Sequence, residues 1–252
     1  MNKSTTTDTC KLCGLSITRA SLQVTLDALL DRIARGQGAW LLTLNTEMLS
    51  RGARDPSYFE LIAQADIITA DGMPLVWASR RKGPDQAIAG RTTGVDLVEA
   101  YLRLPTIPAF AIIGGQNPKV TLQRFGTVAV QACKYLFDGK VDLSDAQLSQ
   151  FAQALSEHEV RTVFIALGVP KQDQLALRLR ARLPHLVLMG IGGTFEILGP
   201  QGSRAPQWMQ NAGLEWLYRL AKEPGRLWRR YLINYPAGIG LLLKDGRSSR
   251  TP

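Results

Sequence analysis

Along the first 200 positions, short apolar runs alternate with longer stretches whose apolar residues recur at helical spacing. Gly14–Thr18 reads as a strand. Ser21 to Arg35 reads as a helix that the Ser21 hydroxyl can cap, accepting from an otherwise unpaired amide. Trp40–Asn45 has the character of a buried strand, and Asp55-Pro56 opens a helix. Ile67–Ala70 ends at Asp71-Gly72, with Pro74 at the next helix start. Further strands are predicted at Phe110–Ile113, Val128–Val130, Thr162–Leu167 and Leu186–Met189, most of them running straight into glycine. Strands that alternate with helices pair in parallel through right-handed crossovers, so the pattern predicts an α/β fold, a sheet covered by helices on both faces. Ligands of such sheets collect beyond the carboxyl ends of the strands. Thr43, Asn45, Asp71, Gly114, Gly115, Gly168 and Gly190 stand there.

Composition narrows the class. The chain has 252 residues, 45% of them apolar and 20% charged, enough to bury a sizeable core and unlike a disordered or coiled-coil protein. Three cysteines are too few for a disulfide framework at this length, which favours a reducing compartment. The amino terminus has no apolar segment of the signal-peptide kind, and no run reaches the ~18 apolar residues of a membrane span, so a cytoplasmic location is expected. The net charge of +9 is concentrated: residues 201–252 carry nine basic and three acidic side chains, leaving +3 for the first 200. That last fifth also holds Trp208, Trp216 and Trp228. We therefore expect an α/β core over 1–200, a basic aromatic-rich helical appendage over 201–252, and frayed ends at 1–9 and 247–252. A basic protein of this kind meets an anion, whether a phosphorylated ligand, a membrane surface or nucleic acid.

The strand ends carry the chemistry. Thr43 and Asn45 alternate onto one side, where they suit a polyhydroxylated ligand, although Asn45 can equally cap the following helix. Asp71, just past a buried strand, reads either as a partly desolvated general base or as a helix cap. Gly114-Gly115 and Gly190-Ile-Gly192-Gly193 offer backbone amides to a diphosphate but match neither the dinucleotide nor the P-loop fingerprint. Pro170-Lys171-Gln172-Asp173 puts a cation and an amide in the first turn of a helix, where the lysine works against the helix dipole. Arg91 lies in a connection, facing either the cleft or solvent. The tail, from Arg204 through Gly213–Leu220 to Arg226, Arg229 and Arg230, is amphipathic and broken at Pro224. It suits a phosphate-gripping lid, an interfacial membrane helix or a solvated basic face. Cys10-x-x-Cys13 lacks the second pair that a zinc site needs, and His158 and His185 read as structural or exposed.

Taken in order, these segments resemble the WecG/TagA/CpsF family of bacterial glycosyltransferases. The matching pieces are Thr43-x-Asn45-x-Glu47, Ala70-Asp71-Gly72, Arg91-x-x-Gly94-x-Asp96-Leu97, Ile113-Gly114-Gly115, Leu167-Gly168-x-Pro170-Lys171-Gln172, Gly190-x-Gly192-Gly193-x-Phe195 and Arg204-Ala-Pro206. The tail adds Gly213-Leu-Glu-Trp-Leu-Tyr-Arg and Glu223-Pro-x-Arg226-x-x-Arg229-Arg230-Tyr231. The resemblance implies a Rossmann-like core and an inverting, metal-independent transfer of a hexosyl group from a UDP-sugar to a polyprenyl-diphosphate-linked saccharide. N-acetylmannosamine, its uronic acid and glucose are the sugars it admits. It implies a peripheral place on the cytoplasmic membrane surface in cell-surface polysaccharide synthesis, no cofactor and no nucleic-acid partner, and leaves a homo-oligomer open. By carry-over, Asp71 is the base, and Thr43, Asn45 and Gln172 hold sugar hydroxyls or the reacting centre. Arg91, Gly114, Gly115, Gly168, Lys171, Gly192, Arg204, Arg226, Arg229 and Arg230 hold substrate. Two departures stand out: Asp173 replaces the usual Glu, and Ala132-Cys133 replaces a glycine turn, each expected to bear on donor or acceptor choice if it reaches the ligand. A reading of another class, a basic α/β protein using its tail as a nucleic-acid-binding arm, has only the net charge behind it.

Overall fold

The computed structural model describes residues 8–202 and 204–248. An antiparallel hairpin, β1 (Thr9–Leu12) and β2 (Leu15–Thr18), precedes α1 (Leu22–Ala34), β3 (Ala39–Leu44), α2 (Thr46–Arg54), α3 (Pro56–Ile62), β4 (Ile67–Ala70), α4 (Met73–Arg81) and α5 (Gly94–Leu102). The chain continues with β5 (Phe110–Gly114), α6 (Pro118–Gln123), α7 (Thr127–Ala132), β6 (Cys133–Phe137), α8 (Asp145–Glu157), β7 (Thr162–Ala166), α9 (Lys171–Arg182), β8 (Val187–Gly190) and α10 (Thr194–Leu198). The tail forms α11 (Gln207–Asn211), α12 (Glu215–Lys222), α13 (Pro224–Trp228), a π-helical turn (Arg229–Asn234) and α14 (Tyr235–Ser248). β3 to β8 form one parallel sheet in the order β4-β3-β8-β7-β5-β6.

Strand alternation explains the two-sided core. Trp40, Leu42, Leu44, Ile113, Val163, Ile165 and Leu188 enter one buried cluster, packed by α2, α3, α8 and α9. Their neighbours Leu41, Phe110, Ile112, Phe164, Val187 and Met189 enter the other, under α1, α5 and α10. Strands buried on both faces read as continuous apolar runs, which is why the sequence marks them so clearly. The Rossmann-like α/β class is thus found.

One expected strand is a helix. Val128-Ala-Val130 lies in α7, which places Ala129 and Ala132 against the core and leaves Val128 and Val130 52% and 43% exposed. Gly126, at φ +90°, starts that helix, and the strand begins only at Cys133. β-branched residues at 128 and 130 mimic a strand, but the buried face repeats at helical, not alternate, spacing. At the ends, Asp8 pairs with Arg19, Thr9 begins β1, and Arg247 and Ser248 close α14; the other residues expected to fray lie outside those described.

The tail is seated on the core. Leu227, Tyr231 and Leu242 are buried, and α14 packs along α2 and α4. The Gly238 amide donates to the Ser50 hydroxyl at 2.7 Å, and a Cβ built on Gly238 would stand 2.4 Å from the Thr46 carbonyl oxygen. Lys82 at the end of α4 pairs with Asp245 at 2.6 Å. Gly238→Ala is expected to lower stability by about 1–3 kcal/mol through this clash. Gly240→Ala, in the same helix with nothing within 4 Å of its Cβ, shares the propensity gain without the clash. Thermal melts in which both variants behave alike would show that α14 is not held this way.

Candidate active site

The carboxyl ends of β3, β4, β7 and β8 open onto one cavity of about 1220 Å³, with the tail forming its far wall. Thr43, near the end of β3, donates from its hydroxyl to the Gly190 carbonyl of β8 at 3.2 Å and lines the cavity. Asn45 is the cap of α2 and also stands at the cavity. Its Oδ1 caps α2 by accepting from the Glu47 and Met48 amides at 3.0 and 3.1 Å, and the residue lines the cavity. Gln172, in the first turn of α9 and 4% exposed, accepts at Oε1 from the Gly192 amide at 3.0 Å. Its amide nitrogen lies over Gly190, 3.0 Å from where a Cβ would be, so a larger residue there would press on Gln172. Gly168 and Gly192 complete the strand-end rim.

Asp71 is not a cap. Gly72 occupies the N-cap position of α4 at φ +135°, a conformation that glycine alone adopts without strain, and the cap makes no side-chain hydrogen bond. The Asp71 amide donates to the Leu44 carbonyl at 2.7 Å, tying the end of β4 to β3, while its carboxylate faces the cavity. Burial pushes the Asp71 pKa up to about 7, with Glu215 and Asp96 adding to the rise and Arg91 and Arg219 opposing it. A carboxylate that titrates near neutrality is matched to taking a proton from a hydroxyl as a bond forms.

The wall opposite comes from the tail. Arg91 reaches from the strap between α4 and α5 to Glu215 Oε2 at 2.5 Å and Gln210 Oε1 at 2.6 Å, so it lines the cavity and clamps α11 and α12 over it. Arg219, one turn beyond Glu215 on α12, and Arg229, whose guanidinium lies 5.3 Å from the Trp228 ring centre, also line the cavity. Two cations facing a half-buried base suit an anionic leaving group.

Several sequence-predicted residues stand elsewhere. Gly114 and Gly115 end β5, outside the cavity: a Cβ on Gly114 would meet the Ala166 carbonyl oxygen at 2.6 Å, and one on Gly115 the Phe195 ring at 3.2 Å. They are glycines because β7 and α10 close over that strand end. Lys171 turns away and donates from Nζ to the Val141 carbonyl at 2.7 Å. Arg204 pairs with Asp96 and with Glu99, pinning the start of the tail to α5. Asp173 does not line the cavity; it is 1% exposed and accepts from the Tyr58 hydroxyl at 2.7 Å, with a pKa pushed up by burial to about 6. The Ala132-Cys133 junction of α7 and β6 is likewise absent from the lining. Neither departure therefore touches a ligand held here. The side chains of Arg226 and Arg230 lie outside the described residues.

Glu215, Trp216 and Arg219, which the sequence offers only as part of the tail motif, and Thr93 and Glu196, which it leaves without a role, are all on the cavity surface. The spacing of Glu215 and Arg219 was a usable signal, since residues four apart share a helix face. Among the described residues no cluster of His, Cys, Asp or Glu could hold a metal ion, and no helix is long and apolar enough to cross a membrane. Residues 10–252 match the family model described as Glycosyl transferase WecG/TagA/CpsF family.

Proposed function

Since the chain belongs to that family of cell-surface polysaccharide glycosyltransferases, we propose that it is an inverting UDP-sugar hexosyltransferase acting on a polyprenyl-diphosphate-linked saccharide. The observation that carries this reading is the Asp71 carboxylate, raised toward neutral pKa, on the floor of a cavity walled on the far side by Arg219 and Arg229. The acceptor hydroxyl oxygen attacks the anomeric carbon from the face opposite the nucleotide. As that bond forms, the bond from the anomeric carbon to the β-phosphate oxygen breaks, the hydroxyl proton passes to Asp71, and the electron pair leaves with UDP. Thr43, Asn45 and Gln172 hold hydroxyls around the reacting centre. Arg219 and Arg229 take the charge that grows on the diphosphate, which makes the reaction metal-independent. The appendage supports a peripheral place on a membrane surface: Trp208, Trp228, Leu232 and Ile233 are 65%, 42%, 60% and 56% exposed, beside the basic residues.

The test is a pair of titrations followed by turnover. Calorimetry should give saturable one-site binding of UDP, and a screen of UDP-sugars with a synthetic polyprenyl-diphosphate saccharide should yield an inverted glycosidic product. Tight binding of single-stranded DNA with a steep salt dependence, and none of UDP, would replace this reading with the nucleic-acid-binding one.

A further inference from the structure

We infer that Glu215 is a positioning residue that keeps Asp71 available as a base by holding Arg91 away from it. This rests on the proposed transfer reaction. The strap that carries Arg91 runs beside Asp71: the Thr92 amide donates to the Ala70 carbonyl at 2.9 Å, and the Thr69 hydroxyl donates to the Thr92 carbonyl at 2.9 Å. Arg91 and Asp71 therefore flank one hydrogen-bonded rung at the end of β4. An arginine so placed pairs with a carboxylate by default, and such a pair lowers the carboxylate pKa by roughly 1–3 units while occupying the lone pairs that must receive the proton.

Here both ends of the guanidinium are claimed by the tail. Nη1 donates to Glu215 at the start of α12, and Nη2 donates to Gln210 at the end of α11. Gln210 is itself buried, and its Nε2 is anchored on the Ala205 carbonyl at 2.7 Å. Arg91 and Glu215 are 15% and 18% exposed, so the pair is shielded from solvent screening. Glu215 thus acts twice, by drawing the cation off and by adding negative charge near the base. Arg219 on α12 and Asp96 on α5 also act on Asp71, and Glu47, Glu196 and Arg229 line the same cavity.

The variants are Glu215→Gln, Arg91→Gln and the double variant, each checked for an unchanged far-UV spectrum. The Asp71 titration is followed in the free protein by carboxyl ¹³C NMR, with the resonance assigned by its absence in Asp71→Asn. The pH profile of kcat/KM for transfer is recorded in parallel. Glu215→Gln should move the Asp71 midpoint down by about 1 unit or more and depress transfer above pH 7. Arg91→Gln should move the midpoint up, and the double variant should lie between the two single variants, because Arg91 can no longer pair with the base while the direct effect of the Glu215 charge is lost as well. A midpoint unmoved by Glu215→Gln, or a double variant that stays low, overturns the inference. Because the NMR readout needs no substrate, failure of every UDP-sugar to react would remove the transferase reading while the Glu215 coupling is still judged on its own.

Discussion

Asp71→Asn should fold, bind UDP and transfer sugar roughly 10²–10⁴-fold more slowly, the range expected when a general base is removed without disturbing its surroundings. The same variant should be more stable than the parent, with a definite pH dependence. The Asp71 pKa is raised to about 7 in the folded protein, against about 3.9 when unfolded. Between those values the folded state binds the proton more tightly, so stability falls as pH rises through the window and the full penalty is present above it. Asn removes the penalty. Near pH 4 the two proteins should melt alike. At pH 8 the variant should gain on the order of 1 kcal/mol, less than the full linkage value because the carboxylate reaches solvent through the cavity. Transfer at the parent rate would remove Asp71 from the reaction; a gain of equal size at both pH values would mean that charge burial is not its source. A group that costs stability and supports activity is the usual pattern of a catalytic site.

The fold was readable because five of the sheet strands are buried on both sides, and their five runs of apolar residues ending in Gly, Asn or Asp leave little else to build. It was misread where one buried face is small: α7 offers the core only Ala129 and Ala132, and its valines point outward. The cavity floor was readable for the same reason as the fold, since Thr43, Asn45, Asp71, Gly168 and Gly192 are fixed by strand ends. What the sequence hid was which strand ends share one opening. The order β4-β3-β8-β7-β5-β6 carries β5 away from β3, so Gly114 and Gly115 end under α10, although their local pattern resembles that of Gly192. Side-chain direction was equally hidden. Lys171 and Gln172 are adjacent, yet the helix turns one outward to Val141 and the other onto Gly192. Among the arginines, charge alone could not separate Arg204, spent on Asp96 and Glu99, from Arg219 and Arg229 on the cavity wall.

That last distinction sets the second large effect. A chain ended before Arg204 loses Glu215, Arg219, Arg229 and one wall of the cavity together, and transfer should fall by at least about 10³-fold, since a single well-placed donor at a developing anion contributes roughly 10²–10³. The truncated protein should also melt earlier. Leu242 is 4% exposed within the core that α14 shares with α2 and α4, and uncovering one such leucine costs about 2–3 kcal/mol. Loss of activity by truncation therefore mixes chemistry with packing. The double variant Arg219→Ala, Arg229→Ala in the full chain separates them. Neither side chain is buried, and α14 keeps its seat on Ser50, so the melting temperature should change little. If the two cations neutralise the leaving diphosphate, kcat should nevertheless fall about 10²-fold or more and UDP should bind more weakly. A double variant that turns over like the parent while the truncation does not would assign the tail to closing the cavity rather than to the leaving group.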